Sequence, residues 1–421
     1  MSDPAGPLSA GALPTADPGR VAGLTVRGRC LLAGGAATVA CALVLDERDL
    51  VRAGVVVLAL PLLALLLADR VRRGVRARRR MDTPRLPVGA DTGVTLELSG
   101  GPLLGALRLT DAVPDAVGPS AAAPPRFTVQ RLGAEPEPRY ALRPVLRGVH
   151  RIGPLTARVG DPLGLAEFPR ELVGPERLVV LPRVTVLRGL PPAVGSGDGA
   201  PGATRTQGGP GSSDVLVRPW REGDELRRVH WRSSARHDEL MVRVEERPWR
   251  GGLGLLLDRR ASAHRGHGPG SSLEFAVELA ASVCAHLHRR GEPVALVTED
   301  GRALPAAIDP ALDALAALRP SARTELTAAA AEPGGDLLAV LGAVGPDDLE
   351  LLLARPAGGH AVLLDVSTWA GARPDPTVAA HAETLRRGGW HVTAAAHGTD
   401  VERVWDALVG GAARAARAGA P

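Results

Sequence analysis

Two uncharged apolar runs near the start of the chain constrain the fold more than any other feature. They are Cys30–Leu45 and Ala53–Ala68, sixteen residues each. As a helix, each would be about 24 Å long, slightly less than the ~30 Å hydrocarbon core of a bilayer, and flanking arginines can snorkel to make up the difference. Both runs are apolar on all sides, which favours a transmembrane hairpin over residues 29–69; the alternative is a pair of buried helices in a soluble bundle.

The charges around the hairpin predict its orientation. Arginines precede it in residues 20–29, seven more lie between residues 70 and 80, and the turn between the runs carries Asp46, Glu47 and Asp49. By the positive-inside rule both ends are cytoplasmic. We therefore predict a multi-pass protein of the cell membrane with two helices, with both termini and the folded domains in the cytoplasm. Residues 1–28 are predicted to be a disordered tail and residues 70–87 a basic juxtamembrane linker.

Composition excludes several classes of function. No lysine occurs, so all 50 basic residues are arginine. The phosphate-binding loop, the protein kinases and Schiff-base chemistry each depend on a lysine and are therefore excluded. The three cysteines are too few and too widely spaced for a disulfide framework or a cysteine metal site. A net charge of +4 on 421 residues gives no indication of nucleic acid as a partner.

The rest of the chain divides into two predicted domains with different patterns. Residues 88–187 contain short alternating runs punctuated by Gly and Pro, which is typical of a small β-sandwich. A Gly/Pro-rich linker over 188–213 follows. In residues 251–418, buried strands alternate with helices, which predicts an α/β domain with a mostly parallel sheet covered on both faces.

Between these domains, residues 214–250 are dense in opposite charges. Gly223-Asp224 resembles a helix start with Asp224 as the cap. We expect Asp224 and Arg227 to be structural partners in an Arg–carboxylate network, with Trp231 buried.

This segment resembles the signature of the bacterial family called "domain of unknown function 58". The matching positions are Arg218, Trp220, Gly223, Asp224, Leu226, Arg227, His230, Trp231, Ser234, Ala235 and Arg236. An upstream Asp161-Pro-Leu-Gly-Leu165 is similar to a second family element, with Leu in place of Phe. The resemblance implies a C-terminal domain similar to the von Willebrand factor A domain and an association with a MoxR-type AAA+ ATPase.

The implied fold raises the question of a metal site. A domains hold Mg²⁺ with an Asp-x-Ser-x-Ser motif and later Thr and Asp residues, and the matching positions here are Asp258, Arg260, Ser262 and Asp365. Arg260 replaces the first serine, and an arginine opposes a cation that needs oxygen ligands. We therefore predict a degenerate site without metal or other cofactor, in which Arg260 pairs with Asp258 or Asp365.

Other candidate sites carry less weight. Ser233, Ser234, His230 and His237 could suggest a hydrolase, but no nucleophile-elbow motif frames them. Four more histidines are interpreted as surface residues: His264, His267, His286 and His288.

The predicted function is that of a membrane-anchored, non-enzymatic adaptor in the assembly or maintenance of envelope complexes. Its partners would be the membrane and a protein, with a MoxR-type AAA+ ATPase as the candidate, and no nucleic acid. The alternatives are a hydrolase of envelope metabolism and a metal-dependent adhesion-type module.

Overall fold

A computed structural model gives the fold of the described residues, which form two compact units. By their contacts, one unit is Met1–Arg183 with Leu315–Leu318, and the other is Val184–Ala314 with Arg319–Pro421. The residues described are 23–100, 106–118, 125–130, 132, 137–191, 216–219, 234, 241–244, 252–331, 336–355 and 358–418.

The first unit begins with a helical hairpin. Helix α1 spans Val26–Leu45 and helix α2 spans Arg48–Gly74. Glycines set the distance between them: a Cβ on Gly35 would lie 3.0 Å from Leu58, and one on Gly54 would lie 2.6 Å from the Val39 side chain. Small residues at such contacts are typical of helices that pack inside a bilayer.

The apolar surface of this hairpin is mostly exposed. Two stretches are long and apolar enough to cross a membrane, Val26–Leu45 and Arg48–Arg70, and only 17% of each is buried. A core helix of a soluble protein would be mostly buried, so the exposure disfavours the soluble-bundle alternative. The prediction of two apolar N-terminal helices is confirmed. Helix α1 begins inside the tail predicted for residues 1–28, of which residues 1–22 lie outside the described part.

Strands β1–β11 form three sheets in the same unit. Their bounds are β1 Gly23–Leu24, β2 Arg76–Met81, β3 Arg85–Pro87, β4 Thr92–Ser99, β5 Leu107–Asp111, β6 Arg126–Val129, β7 Arg139–Leu142, β8 Gly148–Ile152, β9 Leu155–Gly160, β10 Ala166–Val173 and β11 Glu176–Leu181. The sheet orders are β1-β10-β9-β5-β6, β2-β4-β7 and β3-β11-β8. One core of aliphatic residues, Leu96, Leu107, Leu142 and Leu178 among them, joins all three sheets. The β-rich character predicted for this region is therefore present.

The predicted basic linker over residues 70–87 is instead ordered structure. It contains the last turn of α2 and the strands β2 and β3. Within β2, Arg79 is fully buried and makes a bidentate pair with Asp111, whose Oδ2 also accepts a hydrogen bond from the Tyr140 hydroxyl at 2.6 Å. The Arg79 guanidinium therefore belongs to the protein core and not to a lipid-facing run.

The second unit contains a parallel sheet. Its strands are β14 Leu253–Leu257, β15 Val294–Thr298, β16 Asp336–Leu341, β17 Gly359–Leu364 and β18 Trp390–Ala395. The order is β15-β14-β16-β17-β18, and every neighbouring pair is parallel. Successive residues of β14, β16 and β17 are buried. Because neighbouring side chains of a strand point to opposite faces, both faces of the sheet are covered, as predicted.

Helices in this unit follow the strands in the predicted alternation. They are α3 Ser272–Arg289, α4 Ile308–Ala317, α5 Ala328–Ala331, α6 Pro346–Leu353, α7 Val366–Trp369, α8 Pro376–Arg387 and α9 Val401–Ala418. The end of α4, from Leu315, is assigned to the first unit. A separate antiparallel pair, β12 Leu216–Pro219 with β13 Met241–Val244, brackets the signature segment. The predicted linker over 188–213 lies mostly outside the described residues.

Candidate functional site

The parallel sheet places the candidate site at the carboxyl ends of β14 and β16. When the five strands are counted from β14 along the chain, they lie side by side in the order 2-1-3-4-5. The connections leave β14 and β16 in opposite directions, and sheets of this kind bind ligands in the crevice between two such strands. Asp258 directly follows β14, and its N–H donates to Val340 O of β16 at 3.0 Å. Gly342 directly follows β16, and a Cβ there would lie 2.1 Å from Ala263 O, so only glycine lets the two loops approach this closely.

Arg260 fills this crevice and is bound by a carboxylate on each side. Its Nε and Nη2 donate to Asp258 Oδ1 and Oδ2 at 3.0 and 2.9 Å, a bidentate pair. Nη1 donates to both oxygens of Asp348, in the first turn of α6, at 3.0 Å. The carbonyls of Thr324 and Ala343 accept at 2.9 and 3.3 Å. All five guanidinium N–H groups therefore have an acceptor.

These three charges are almost completely shielded from water. Exposure of the side chains is 3% for Arg260, 0% for Asp258 and 7% for Asp348. Backbone N–H groups offset the excess negative charge: Arg260 N donates to Asp258, and Gly345 N donates to Asp348, both at 3.0 Å. Burial acts to lower the pKa of Arg260, but hydrogen bonds and charges from the two carboxylates outweigh it and raise that pKa. The guanidinium is a permanent charge at this site.

The loop after Arg260 is fixed to helix α3 through His264. The His264 Nε2 lies 2.8 Å from Asp258 O and its Nδ1 lies 3.0 Å from Ser272 Oγ. Burial lowers the pKa of His264, so the ring is neutral at pH 7. Because a carbonyl only accepts, Nε2 carries the proton and Nδ1 is left to accept from the Ser272 hydroxyl.

The interpretation of four histidines as surface residues was wrong for two of them. His264 is buried, and His286 is buried with its Nε2 2.7 Å from Gly189 O and its ring against Trp405. Both belong to elements packed on the sheet, where an imidazole can satisfy a buried backbone carbonyl. His267 and His288 are exposed, as expected.

Of the two remaining predicted metal-site positions, Ser262 lies beside Arg260 and Asp365 lies apart. Ser262 is exposed and lines a depression of about 160 Å³ beside Arg260. Asp365 ends β17, about 10 Å of sheet away from β14 at the usual strand spacing. Its carboxylate accepts from the Ser367 hydroxyl and from Asp375 N, and it lines a separate cavity of about 360 Å³. Arg260 thus pairs with Asp258 and not with Asp365.

The donor set at the crevice does not fit a divalent cation. Within the described part of the chain, no three His, Cys, Asp or Glu side chains are grouped to hold a metal. The carboxylates of Asp258 and Asp348 already accept hydrogen bonds from the guanidinium of Arg260. Arg260 therefore occupies the position in which a cation would be needed, and it supplies the charge that the carboxylates require.

Most of the signature lies outside the described residues. Arg218 is on strand β12, and Ser234 is half-buried in helical conformation. The positions outside are Trp220, Gly223, Asp224, Leu226, Arg227, His230, Trp231, Ala235 and Arg236. The expected pairing of Asp224 with Arg227 and the burial of Trp231 remain predictions.

Comparison with known families supports the resemblance over the segment that carries the site. Residues 216–346 match the family described as "Protein of unknown function DUF58". Residues 216–346 are therefore similar to DUF58. The match runs from β12 to the first residue of α6, so it includes Asp258, Arg260 and both loops that enclose them.

A curated relative of this chain is an uncharacterised protein of Bacillus subtilis (strain 168), YeaD. The two are 27% identical over 243 residues, which is 56% of this chain and 59% of the relative. The aligned part thus spans less than two thirds of that protein.

Sequence reasoning missed Asp348. It lies 88 residues from Arg260 along the chain, and only the pairing of β14 with β16 brings α6 to the crevice. The available signal was Gly345-Pro346-Asp347-Asp348, a helix start in which an aspartate can accept a backbone N–H. That signal predicts a cap but does not show that the same carboxylate binds an arginine.

Proposed function

We propose that this protein is a membrane-anchored interaction protein, an adaptor that works through its surface and not through chemistry in a cleft. The observation that carries the proposal is the Arg260 guanidinium held between Asp258 and Asp348. It fills the crevice in which doubly wound sheets bind ligands, using the chain's own side chain. We infer that recognition on this domain takes place at its outer surface.

The proposal extends to the fold of the second unit, which we take to be similar to the von Willebrand factor A domain. Support comes from the all-parallel sheet with aspartates directly after β14 and β17. The family resemblance implies that fold. Arg260 stands where the Asp-x-Ser-x-Ser motif has its first serine, and this distinguishes the chain from A domains with the complete motif. An interaction that depends on metal is therefore disfavoured.

Membrane anchoring is the second part of the proposal. The two exposed apolar helices support it, with the rest of the chain in the cytoplasm. An adaptor fixed in this way would recruit a cytoplasmic machine to the membrane. The resemblance points to a MoxR-type AAA+ ATPase as that machine, in the assembly or maintenance of envelope complexes.

The test is direct binding in detergent. The full chain, immobilised through an affinity tag, is incubated with the purified MoxR-type ATPase of the same organism, with and without ATP. An unrelated two-helix membrane protein on the same resin is the control. Retention of the ATPase on the full chain alone supports the proposal, and equal retention on both resins, or on neither, contradicts it.

A further inference from the structure

The turn Asp161–Leu165 is rigid and carries an exposed apolar tip. Asp161 accepts hydrogen bonds from Leu163 N at 2.8 Å and from Ala166 N at 2.6 Å. Gly164 has a φ of +68°, which favours glycine at that position. Leu163 between them is 58% exposed. The backbone thus holds a leucine outward in a fixed place instead of in a loose loop.

This turn is fastened to the start of helix α1. Thr25 N donates to Leu165 O at 2.8 Å, and the Thr25 hydroxyl donates to Gly164 O at 2.7 Å. Helix α1 then passes so close that a Cβ on Gly28 would lie 2.2 Å from Leu165 O. The turn and the helix start therefore form one joint.

The joint reaches to the depth at which a bilayer's hydrocarbon begins. Leu165 and Ala166 share a buried cluster with Ala64 and Ala68 of α2. Ala64 lies six residues before Arg70, the last residue of the second candidate span, or about 9 Å along the helix. The headgroup region is only about 5–8 Å thick on each side. With Arg70 at the headgroups, the residues that touch Ala64 lie at the hydrocarbon boundary.

We propose that the Asp161–Leu165 turn is a lipid-contacting element, and that Leu163 inserts into the interfacial layer of the bilayer beside the hairpin. The inference rests on the proposed membrane anchoring. The occupant of this surface is the phospholipid that surrounds α1 and α2, because the turn is hydrogen-bonded to the start of α1 and its Leu165 packs with Ala64 and Ala68 of α2. A third point of insertion would restrict tilting of the β-rich unit over the membrane.

The experiment measures lipid contact at single positions of the full chain in phosphatidylcholine vesicles. Cys30 and Cys41 are replaced by serine, whereas buried Cys284, whose pKa burial raises to about 12, is kept because it stays an unreactive thiol. Leu163→Cys is labelled with an environment-sensitive fluorophore. Matched labels at Leu43→Cys on the hairpin and Val149→Cys on β8 are the positive and negative controls; all three wild-type side chains are exposed.

We expect lipids that carry a quencher near the headgroup to reduce emission from position 163 strongly and from position 149 hardly at all. If position 43 is quenched by the lipids while position 163 behaves like position 149, the anchoring holds and this inference is wrong. If position 43 is not quenched at any depth, the anchoring proposal fails and the inference fails with it.

Discussion

At the scale of single residues, the buried Arg260 depends on both of its carboxylates. Removing one partner of a buried pair leaves an uncompensated charge, which typically costs about 3–5 kcal/mol. We expect Asp348→Asn to lower the free energy of unfolding by about 3 kcal/mol, because the amide keeps the shape but not the charge. Denaturation of the full chain in detergent, followed by tryptophan fluorescence, measures the effect. Asp347→Asn, an exposed neighbour in the same helical turn, is the control and should change stability little.

The same residues predict a response to Mg²⁺. In the wild type the guanidinium binds both carboxylates, so millimolar Mg²⁺ should leave the melting temperature unchanged. Arg260→Ser would leave Asp258 and Asp348 as uncompensated anions beside a hydroxyl, a donor set that a hard cation prefers. We therefore expect Mg²⁺ to raise the melting temperature of that variant relative to chelator. If Mg²⁺ raised the melting temperature of the wild type and Asp258→Ala abolished that increase, the crevice would be a functional metal site. This result would contradict the proposal that Arg260 replaces a cation there.

The buried His360 should make the stability of the folded protein sensitive to acid. Burial, with a smaller effect of neighbouring His391, lowers the pKa of His360 from 6.5 to about 4. Between these values the unfolded chain binds a proton that the folded chain does not, so stability falls as the pH drops from 6.5 towards 4. The gap corresponds to about 3 kcal/mol. We expect His360→Leu to flatten this part of the stability curve, measured by denaturation at several pH values. His267→Leu, at an exposed position, should leave the curve as in the wild type.

Part of the crevice could be predicted from neighbouring residues in the sequence. Asp258 and Arg260 are two residues apart at the end of a strand, so their pairing follows from local geometry. Asp348 could not be assigned to the same site, because its approach depends on the strand order. Asp365 follows another strand of the same sheet, yet it serves the loop that leads to α8 through Asp375 N. The position of an aspartate at a strand end therefore predicts the edge of the sheet on which it lies, but not the residue with which it pairs.

At the scale of elements, the joint between α1 and the β-rich unit depends on Gly28. A Cβ there meets the backbone oxygen of Leu165, which cannot move like a flexible side chain. We expect Gly28→Ala to destabilise the joint by about 1–3 kcal/mol, as overpacking commonly does. Protease accessibility of the 161–165 turn in detergent is the measurement, with faster cleavage expected. Gly34→Ala on the same helix, with open space at its Cβ, is the matched control; equal effects of the two changes would contradict this role of Gly28.

Strand β2 shows why the first β-strands escaped prediction. Its sequence is Arg76-Ala-Arg-Arg-Arg-Met81, and Ala77, Arg79 and Met81 alternate inward. An arginine at the central inward position conceals the apolar alternation on which strand prediction depends. Its charge is tolerated because Asp111 lies on β5, 32 residues away. The aliphatic strands β14, β16 and β17 lack such charges in their interiors, and their predictions were correct.

At the scale of the whole molecule, the orientation of the hairpin is the prediction with the widest consequence. Arginines flank its outer ends and the turn is acidic, so the residues after α2 should be cytoplasmic. A reporter fused after residue 90 should behave as a cytoplasmic protein. The matched fusion within the turn, after Glu47, should behave as an exported one. Export of the reporter at residue 90 would reverse the topology.

The division into two units was partly visible in the sequence. The change from short alternating runs to strands that alternate with helices predicted a β-rich part and a parallel α/β part, and both are present. The boundaries were less accurate, because the β-rich unit includes β1–β3, which were placed in a tail and a linker. Those strands are short or charged, and they pair with strands that are distant in the sequence. Local composition does not indicate such pairing.

The joint between Thr25 and the 161–165 turn also has a consequence for the order in which the protein folds during synthesis. Its two sides are 139–140 residues apart. At the usual pace of translation, about 5–20 residues per second, the ribosome needs roughly 7–28 s to produce the 161–165 turn after Thr25. Both helices of the hairpin are therefore synthesised well before the turn that binds the start of α1. Formation of this joint is a late step, and it connects the start of α1 to a turn made long after it.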